Sequence, residues 1–177
     1  MPFRDLATKR LILRGISPDD RDMVFRLFSN AEVNRYLFDT EPISDLHGAD
    51  EIVQSYLQPE PRLQHRWILV KKTDGAKIGT CGFHCWDKSE GSCEVGYDLF
   101  PDFWGMGYMQ EAMQAILAFA RNEMDIKQVN ACIYPENHAS IKLADKLGFI
   151  FTGQMKDEIF RGQTYPHRIY TLVFPEE

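Results

Sequence analysis

The chain has 177 residues, of which 44% are apolar, and its formal net charge at pH 7 is −6. This length fits one domain with a full core, so we expect a single domain over residues 1–177. Proteins that neutralise many phosphates are usually basic, so the negative charge argues against a nucleic-acid partner. Met1–Asp5 runs into charge and no apolar run approaches the roughly 20 residues that span a bilayer. We therefore expect a cytoplasmic protein without a membrane partner.

The N-terminal part of the chain predicts one strand followed by two helices. Apolar residues alternate over Thr8–Ile16, which is typical of a strand. Ser17 is followed by proline and two aspartates, a pattern that starts helices. A loop of aromatic and acidic residues, Phe38–Ile43, then leads to a helix that begins at Ser44 or Asp45.

The middle of the chain predicts three consecutive antiparallel strands. These are Arg66–Lys72, Lys77–Lys88 and Ser92–Phe100. The Asp74-Gly75 step between the first two is a strong signal for a hairpin turn.

The C-terminal part alternates helices and strands. Periodicity predicts helices over Gly107–Glu123 and Asn137–Leu147, with the short strand Gln128–Ile133 between them. The strands Phe149–Phe160 and His167–Phe174 end the chain. The element order β-α-α-β-β-β-α-β-α-β-β predicts an α+β, or mixed α/β, fold.

The cysteines do not suggest a metal centre. There are four, and none forms a C-x-x-C pair: Cys81, Cys85, Cys93 and Cys132. His84 stands between two of them, but strand alternation puts its side chain on the face opposite Cys81 and Cys85. We expect small buried residues in a reduced compartment, and no metal.

The most informative segment is the loop around Gly105 and Gly107, where a strand ends and a helix begins. The first amides of a helix lack internal partners, and glycines let an anionic group approach them closely. The glycines could also serve only to make a tight turn. A Walker loop is excluded because G-x-x-x-x-G-K-[ST] is absent, and Gln110 interrupts the dinucleotide pattern G-x-G-x-x-G.

Three segments together resemble the GNAT acetyltransferase superfamily, in its branch of ribosomal-protein N-terminal (Rim-type) acetyltransferases. They are the opening strand T-K-R-L-I-L-R at residues 8–14, W-G-M-G running into E-A at residues 104–112, and N-H-A-S with L-G-F between Asn137 and Phe149. The resemblance implies a mostly antiparallel twisted sheet of about seven strands, flanked by about four helices. One departure is Asp102, where the superfamily often has Gln or Arg; we expect this carboxylate to point away from the loop.

The resemblance implies acetyl-CoA as co-substrate, with its diphosphate on the loop and its pantetheine arm paired with the strand edge at Gly96–Leu99 like an added strand. The residues expected to bind it are Tyr97, Leu99, Trp104, Gly105, Met106, Gly107, Tyr108, Met109, Asn137 and Ser140.

An amine must lose its proton before it attacks a thioester, so a base is required. The resemblance implies a base on the strand before the loop, and Glu94 is our candidate; we expect partial burial to raise its pKa toward neutrality. The alternative is a solvent-facing carboxylate.

Many superfamily members protonate the thiolate with a tyrosine at the position of Ala144 here. In the resembled branch the hydroxyl of Ser140 is thought to serve instead, although Ser140 could merely satisfy a backbone amide.

The resemblance implies that the acceptor is a primary amine, on a protein N-terminus or on a small molecule, and that the Tyr36–Ile43 loop and the Arg161–His167 turn line its site. Phe38, Asp39 and Glu41 are candidates to hold the amine, or they form an ordinary polar loop.

Whether the chain is a monomer or a homodimer stays open. Two other hypotheses remain: a non-catalytic acyl-CoA-binding sensor or interaction module, favoured by Ala144, and a nucleotide-dependent enzyme that uses the same loop.

Overall fold

The computed structural model describes residues 3–59 and 61–175, and these form an eight-stranded sheet with four α-helices. The strands are β1 (Leu6–Ala7), β2 (Leu11–Gly15), β3 (His65–Lys71), β4 (Lys77–Asp87), β5 (Ser92–Leu99), β6 (Gln128–Ile133), β7 (Ile150–Phe160) and β8 (Gln163–Val173). The helices are α1 (Arg21–Phe28), α2 (Leu46–Tyr56), α3 (Tyr108–Glu123) and α4 (His138–Lys146). In the described ranges, no helix combines the length and the apolarity needed to cross a membrane.

The strand order is β1-β2-β3-β4-β5-β6-β8-β7, and all neighbours are antiparallel except β5 and β6. A parallel pair needs a crossover connection, and α3 supplies it between β5 and β6. The expected mixed, mostly antiparallel α+β fold with four helices is confirmed. The strand beyond the expected seven is β1, which arises because Leu6 and Ala7 pair back onto β2.

Helices cover both faces of the sheet, and the alternation of β3 divides its side chains between the two. Trp67 and Leu69 belong to the larger buried cluster, which includes the inner side of α3. Ile68, between them, belongs to the second cluster with Val24 of α1 and Val53 of α2. Each face of the sheet therefore buries its own apolar layer.

The predicted alternation of β4 fails at Cys85. The pairing of β4 with β5 shifts between His84 and Asp87, and Cys85 has a φ of +51°, which marks a β-bulge. Cys85 is exposed rather than buried, so that prediction was wrong. The prediction that His84 and Cys85 point to opposite faces was also wrong, since their ligating atoms lie within 4.8 Å of one another.

The last strand begins at Gln163, four residues before the predicted start at His167. Arg161 and Gly162 have φ values of +50° and +76°, so two residues suffice for the turn and Phe160 pairs directly with Gln163. Such two-residue turns match the twist of the flanking strands. The hairpin therefore extends further than alternation alone indicated.

A buried histidine predicts acid sensitivity of the fold. His65 is 5% exposed, its ring stacks on Phe3 at 4.2 Å, and neither ring nitrogen has a hydrogen-bond partner among the described residues. Burial, helped by the charges of Arg62 and Arg66, lowers the pKa of His65 to about 3. In the unfolded chain this imidazole binds a proton near pH 6.5, whereas in the folded state it stays neutral at that pH.

We therefore expect stability to fall as pH drops from about 6.5 toward 3, by up to about 1.4 kcal/mol per pH unit from this group. A His65→Phe variant keeps a ring beside Phe3 but has no proton to bind. Urea unfolding of both proteins at pH 7 and pH 5 should show a smaller loss in the variant. Equal losses would mean that His65 is not the group responsible.

Candidate active site

The sheet opens where β5 leaves β6. The two strands pair only at Ser92, Cys93 and Glu94, so in the described chain no β6 residue pairs with the rest of β5. On its other side β5 stays paired with β4 as far as Leu99. One edge of Val95–Leu99 is thus free, and two adjoining cavities lie along it.

The loop between β5 and α3 leaves backbone amides unblocked. Gly105 and Gly107 have φ values of +73° and +78°, a left-handed region that favours glycine. Gly107 is the N-cap of α3, and none of the described side chains caps the helix there. The start of α3 therefore has the free N–H groups that bind anions. Asp102 is exposed and is absent from the lining of both cavities, as expected.

Side chains from the N-terminal segment fix this loop. The Glu111 carboxylate accepts hydrogen bonds from the Thr8 hydroxyl at 2.6 Å and from the backbone and Nε of Arg10 at 2.7 and 2.6 Å. Arg10 also donates to the carbonyl of Met106 at 2.9 Å and lies over the ring of Tyr108 at 4.3 Å. The T-x-R and E-A motifs thus hydrogen-bond to each other and together hold the loop in place.

The first cavity, of about 560 Å³, extends from this loop to the start of α4. Of the ten expected cofactor residues, nine line it: Tyr97, Leu99, Trp104, Gly105, Gly107, Tyr108, Met109, Asn137 and Ser140. Met106 does not, and the residue is 55% exposed. The indole of Trp104 donates to the carbonyl of Leu99 at 2.8 Å, which occupies one backbone group that we had expected to be open to the pantetheine arm.

The start of α4 presents a hydroxyl to the cavity. The Asn137 side chain caps the helix by accepting from the Ser140 amide at 3.2 Å. Ser140 does not have to cap the helix itself, and its side chain lies beside that of Tyr97. Burial raises the pKa of Tyr97 to about 12, against the opposing contact with Ser140. Two neutral hydroxyls thus adjoin one another at this point.

The second cavity, of about 320 Å³, lies between the loop before α2, the middle of the sheet and the β7–β8 hairpin. It shares six residues with the first: Tyr36, Leu37, Tyr97, Asp98, Asn137 and Ser140. Its ionisable lining residues are Tyr36, Asp39, Tyr56, Arg66, His84, Glu94, Tyr97, Asp98, Cys132, Tyr134, Lys156, Glu158 and His167. The two cavities therefore meet beside Ser140.

Glu94 lines the second cavity, but its pKa is not raised toward neutrality as we expected. Its carboxylate lies 3.3 Å from Nε2 of His84 and 3.8 Å from Nζ of Lys156. The hydrogen bond with His84, aided by the charge of Lys156, outweighs burial and lowers the pKa of Glu94. The expectation of a raised pKa was wrong because the sequence does not show these two neighbours.

The structure adds a buried ion pair that the sequence did not indicate. Asp98 and Arg66 have side chains only 9% and 13% exposed and lie 3.4 Å apart. Arg66 also donates to the Tyr56 hydroxyl at 2.8 Å. Burial raises the pKa of Asp98, and the nearby charge of Asp39 adds to this while Arg66 opposes it.

The loop that carries Phe38, Asp39 and Glu41 is held against the β7–β8 hairpin. Phe38 stacks on Tyr165 at 3.9 Å and lines the cavity together with Asp39. Glu41 does not line it, because its carboxylate pairs with Arg161 at 2.6 Å and closes the loop onto the hairpin. In the structure Glu41 therefore lies outside the cavity, and its carboxylate is paired with Arg161.

Sequence reasoning missed His84 and Tyr134 as lining residues of the second cavity, whereas His167 ends the turn that was expected to line it. The only signal was that a strand adjacent to the candidate base carries a histidine. His84 pairs in register with Glu94 across β4 and β5. That register follows from the β4–β5 hairpin, which the sequence does predict. The sequence does not predict which side of the sheet faces the cavity.

Comparison with known proteins agrees with this geometry. The family of acetyltransferase (GNAT) domains matches residues 10–150. The uncharacterized N-acetyltransferase YoaA of Bacillus subtilis (strain 168) is 30% identical over 178 residues, which cover 99% of either chain.

Solved structures share the fold. The ribosomal L7/L12 alpha-N-protein acetyltransferase RimL, in its apo form, has a TM-score of 0.85 at 20% identity, covering 96% of this chain and 93% of its own. Spermidine N-acetyltransferase from Vibrio cholerae, in complex with CoA and spermine, has a TM-score of 0.81 at 16% identity, and the match covers 93% of this chain and 95% of that one. The chain belongs to the GNAT family and is an acetyl-CoA-dependent N-acetyltransferase.

Proposed function

We propose that this acetyltransferase transfers the acetyl group directly to a small cationic primary amine in a ternary complex. The observation that carries the proposal is that the cavity with the anion-binding helix start and the cavity lined by carboxylates meet at Tyr97, Asp98, Asn137 and Ser140. A thioester at this junction is open to attack from the second cavity. Holding both reactants in place supplies much of the rate.

Acetyl-CoA is held in the first cavity, with its diphosphate on the amides of Gly105, Gly107 and the start of α3. The free edge of β5 takes up the pantetheine arm beside Tyr97. Because Trp104 occupies the carbonyl of Leu99, the arm pairs with the remaining backbone groups of this edge. Trp104, 48% exposed, forms part of the cavity wall.

The amine proton is taken up by the pair of Glu94 and His84. Glu94 stays ionised because its pKa is lowered, so by itself it is a weak base. Its hydrogen bond with Nε2 of His84 orients the imidazole, and imidazoles are the usual bases at neutral pH. After the attack, Ser140 donates to the departing thiolate, with the Tyr97 hydroxyl next to it.

The acceptor cavity favours a small cation. Its volume, about 320 Å³, is at the lower end for ligand sites. Asp39, Glu94, Asp98 and Glu158 outnumber the cations of Arg66 and Lys156. A protein N-terminus is the second candidate, since it also presents a primary amine and the fold is that of RimL.

A panel of polyamines, amino acids and N-terminal peptides, incubated with acetyl-CoA and read by mass spectrometry, tests the acceptor. We expect transfer to small diamines or polyamines at a higher kcat/KM than to peptides. A preference for one peptide N-terminus would replace the small amine by the second candidate.

The anion site predicts different effects for two glycines of like geometry. Gly105 and Gly75 have φ values of +73° and +71°, and an added Cβ would meet nothing within 4 Å at either. Alanine at either position costs about 1–2 kcal/mol of backbone strain. Only Gly105→Ala should also weaken acetyl-CoA binding, by about tenfold, since charge-assisted contacts at the loop are lost.

Calorimetric titration with acetyl-CoA measures both variants, and thermal unfolding confirms that they lose similar stability. Gly75→Ala, in the turn between β3 and β4, should bind as the wild type does. Equal binding by the two variants would place the diphosphate elsewhere.

The proton-transfer pair predicts a loss of rate without a loss of cofactor binding. Glu94→Gln should lower kcat by about 10²-fold or more, since general base catalysis contributes on this scale. Its acetyl-CoA affinity should not change. The control is Glu90→Gln, which neutralises an exposed carboxylate in the turn before β5. Normal turnover of Glu94→Gln over pH 6–9 would remove Glu94 from the mechanism.

A further inference from the structure

The β4 bulge brings together side chains that strand alternation would separate. His84, Cys85 and Glu94 offer one nitrogen, one sulfur and one oxygen, all within 4.8 Å of one another. His84 and Glu94 face each other across β4 and β5, and their side chains are 3.3 Å apart. On the next strand, β6, Sγ of Cys132 lies 3.9 Å from the Glu94 carboxylate. Three side chains with metal-binding atoms thus form one cluster, and Cys132 adjoins it at Glu94.

These residue types are those that bind zinc. Zn²⁺ prefers four tetrahedral ligands drawn from histidine nitrogen, cysteine sulfur and carboxylate oxygen, with bonds of about 2.0–2.3 Å. Such bonds set neighbouring ligand atoms roughly 3.3–3.8 Å apart. The observed spacing within 4.8 Å needs only modest side-chain rotation to reach this geometry.

We propose that His84, Cys85 and Glu94 form a zinc site, with Cys132 beside the fourth position, and that zinc bound there inhibits acetyl transfer. Binding displaces the proton of the Cys85 thiol into solvent, so the site weakens as pH falls. Inhibition, which rests on the proposed function, follows because the metal occupies the carboxylate and the imidazole that handle the amine proton.

Lys156 carries a positive charge that opposes binding of the metal. Its Nζ is 3.8 Å from the Glu94 carboxylate. The same ammonium is 3.3 Å from Glu158, and its side chain is 44% exposed. Lys156 can therefore keep a carboxylate partner while Glu94 turns to the metal.

Cys85 allows the site to be tested apart from catalysis. It is absent from the residues that line the two cavities, so Cys85→Ser should acetylate amines at the wild-type rate without zinc. The control is His47→Gln, which removes another histidine that is paired with a carboxylate. Nε2 of His47 lies 3.4 Å from the carboxylate of Glu51.

Zn²⁺ affinity is measured by competition with a chromophoric chelator, and Co²⁺ serves as the spectroscopic probe. We expect one Zn²⁺ per chain, and a Co²⁺ spectrum with thiolate charge-transfer and tetrahedral d–d bands. Cys85→Ser and Cys85→Ala should bind Zn²⁺ at least about 100-fold more weakly, since outer-shell partners alone are worth 10–100-fold. His47→Gln should match the wild type.

Inhibition is measured from initial rates by mass spectrometry, at low conversion, because the CoA thiol released would itself bind zinc. We expect the rate to fall with zinc occupancy in the wild type and in His47→Gln, but not in Cys85→Ser. Equal zinc affinity of wild type and both Cys85 variants, or a Co²⁺ spectrum without thiolate bands, would overturn the site.

Zinc bound through Cys85 with unchanged acetyl transfer would overturn inhibition and count against Glu94 and His84 as the proton-transfer pair. Normal turnover of Glu94→Gln, with zinc binding in the wild type intact, would instead refute only the proposed mechanism.

Discussion

The separation of β5 from β6 after Glu94 is the constraint on which the rest of the structure depends. While the strands are paired they bury apolar residues like any sheet, and Cys93 and Val129 face each other across this pair. Once they part, β5 has an edge inside the sheet with no partner strand among the described residues, and Trp104 donates to one of its carbonyls, that of Leu99. Backbone groups at such an edge need a partner, and an extended ligand can provide it.

The two cavities along this edge differ in electrostatic character. The first ends at a helix start whose amides favour an anion, and Thr8, Arg10 and Glu111 hold the loop there in place. The second contains more carboxylates than cations and suits an amine. In the proposed function, a donor that carries phosphates and an acceptor that carries an ammonium group therefore bind on opposite sides of one junction.

The bulge at Cys85 shows how a local departure from regular structure changes the chemistry of this region. A residue in the left-handed region is costly unless it is glycine, and such positions cluster at functional sites. Here the cost coincides with a thiol placed beside His84 and Glu94. A regular strand would have turned Cys85 away and left a simple carboxylate–imidazole pair.

The sequence by itself determined the order of the elements other than β1 and, through motifs that resemble the GNAT superfamily, the class of enzyme. The element starts and the glycine loop rest on local rules: Asp45 caps α2, Asn137 caps α4, and Gly105 and Gly107 adopt backbone angles that few other residues tolerate. Only the tertiary structure decided the lowered pKa of Glu94, the burial of Asp98 with Arg66 and the pairing of Glu41 with Arg161. A pKa and an ion pair depend on neighbours that are distant in sequence, and alternation cannot foresee a bulge that breaks it.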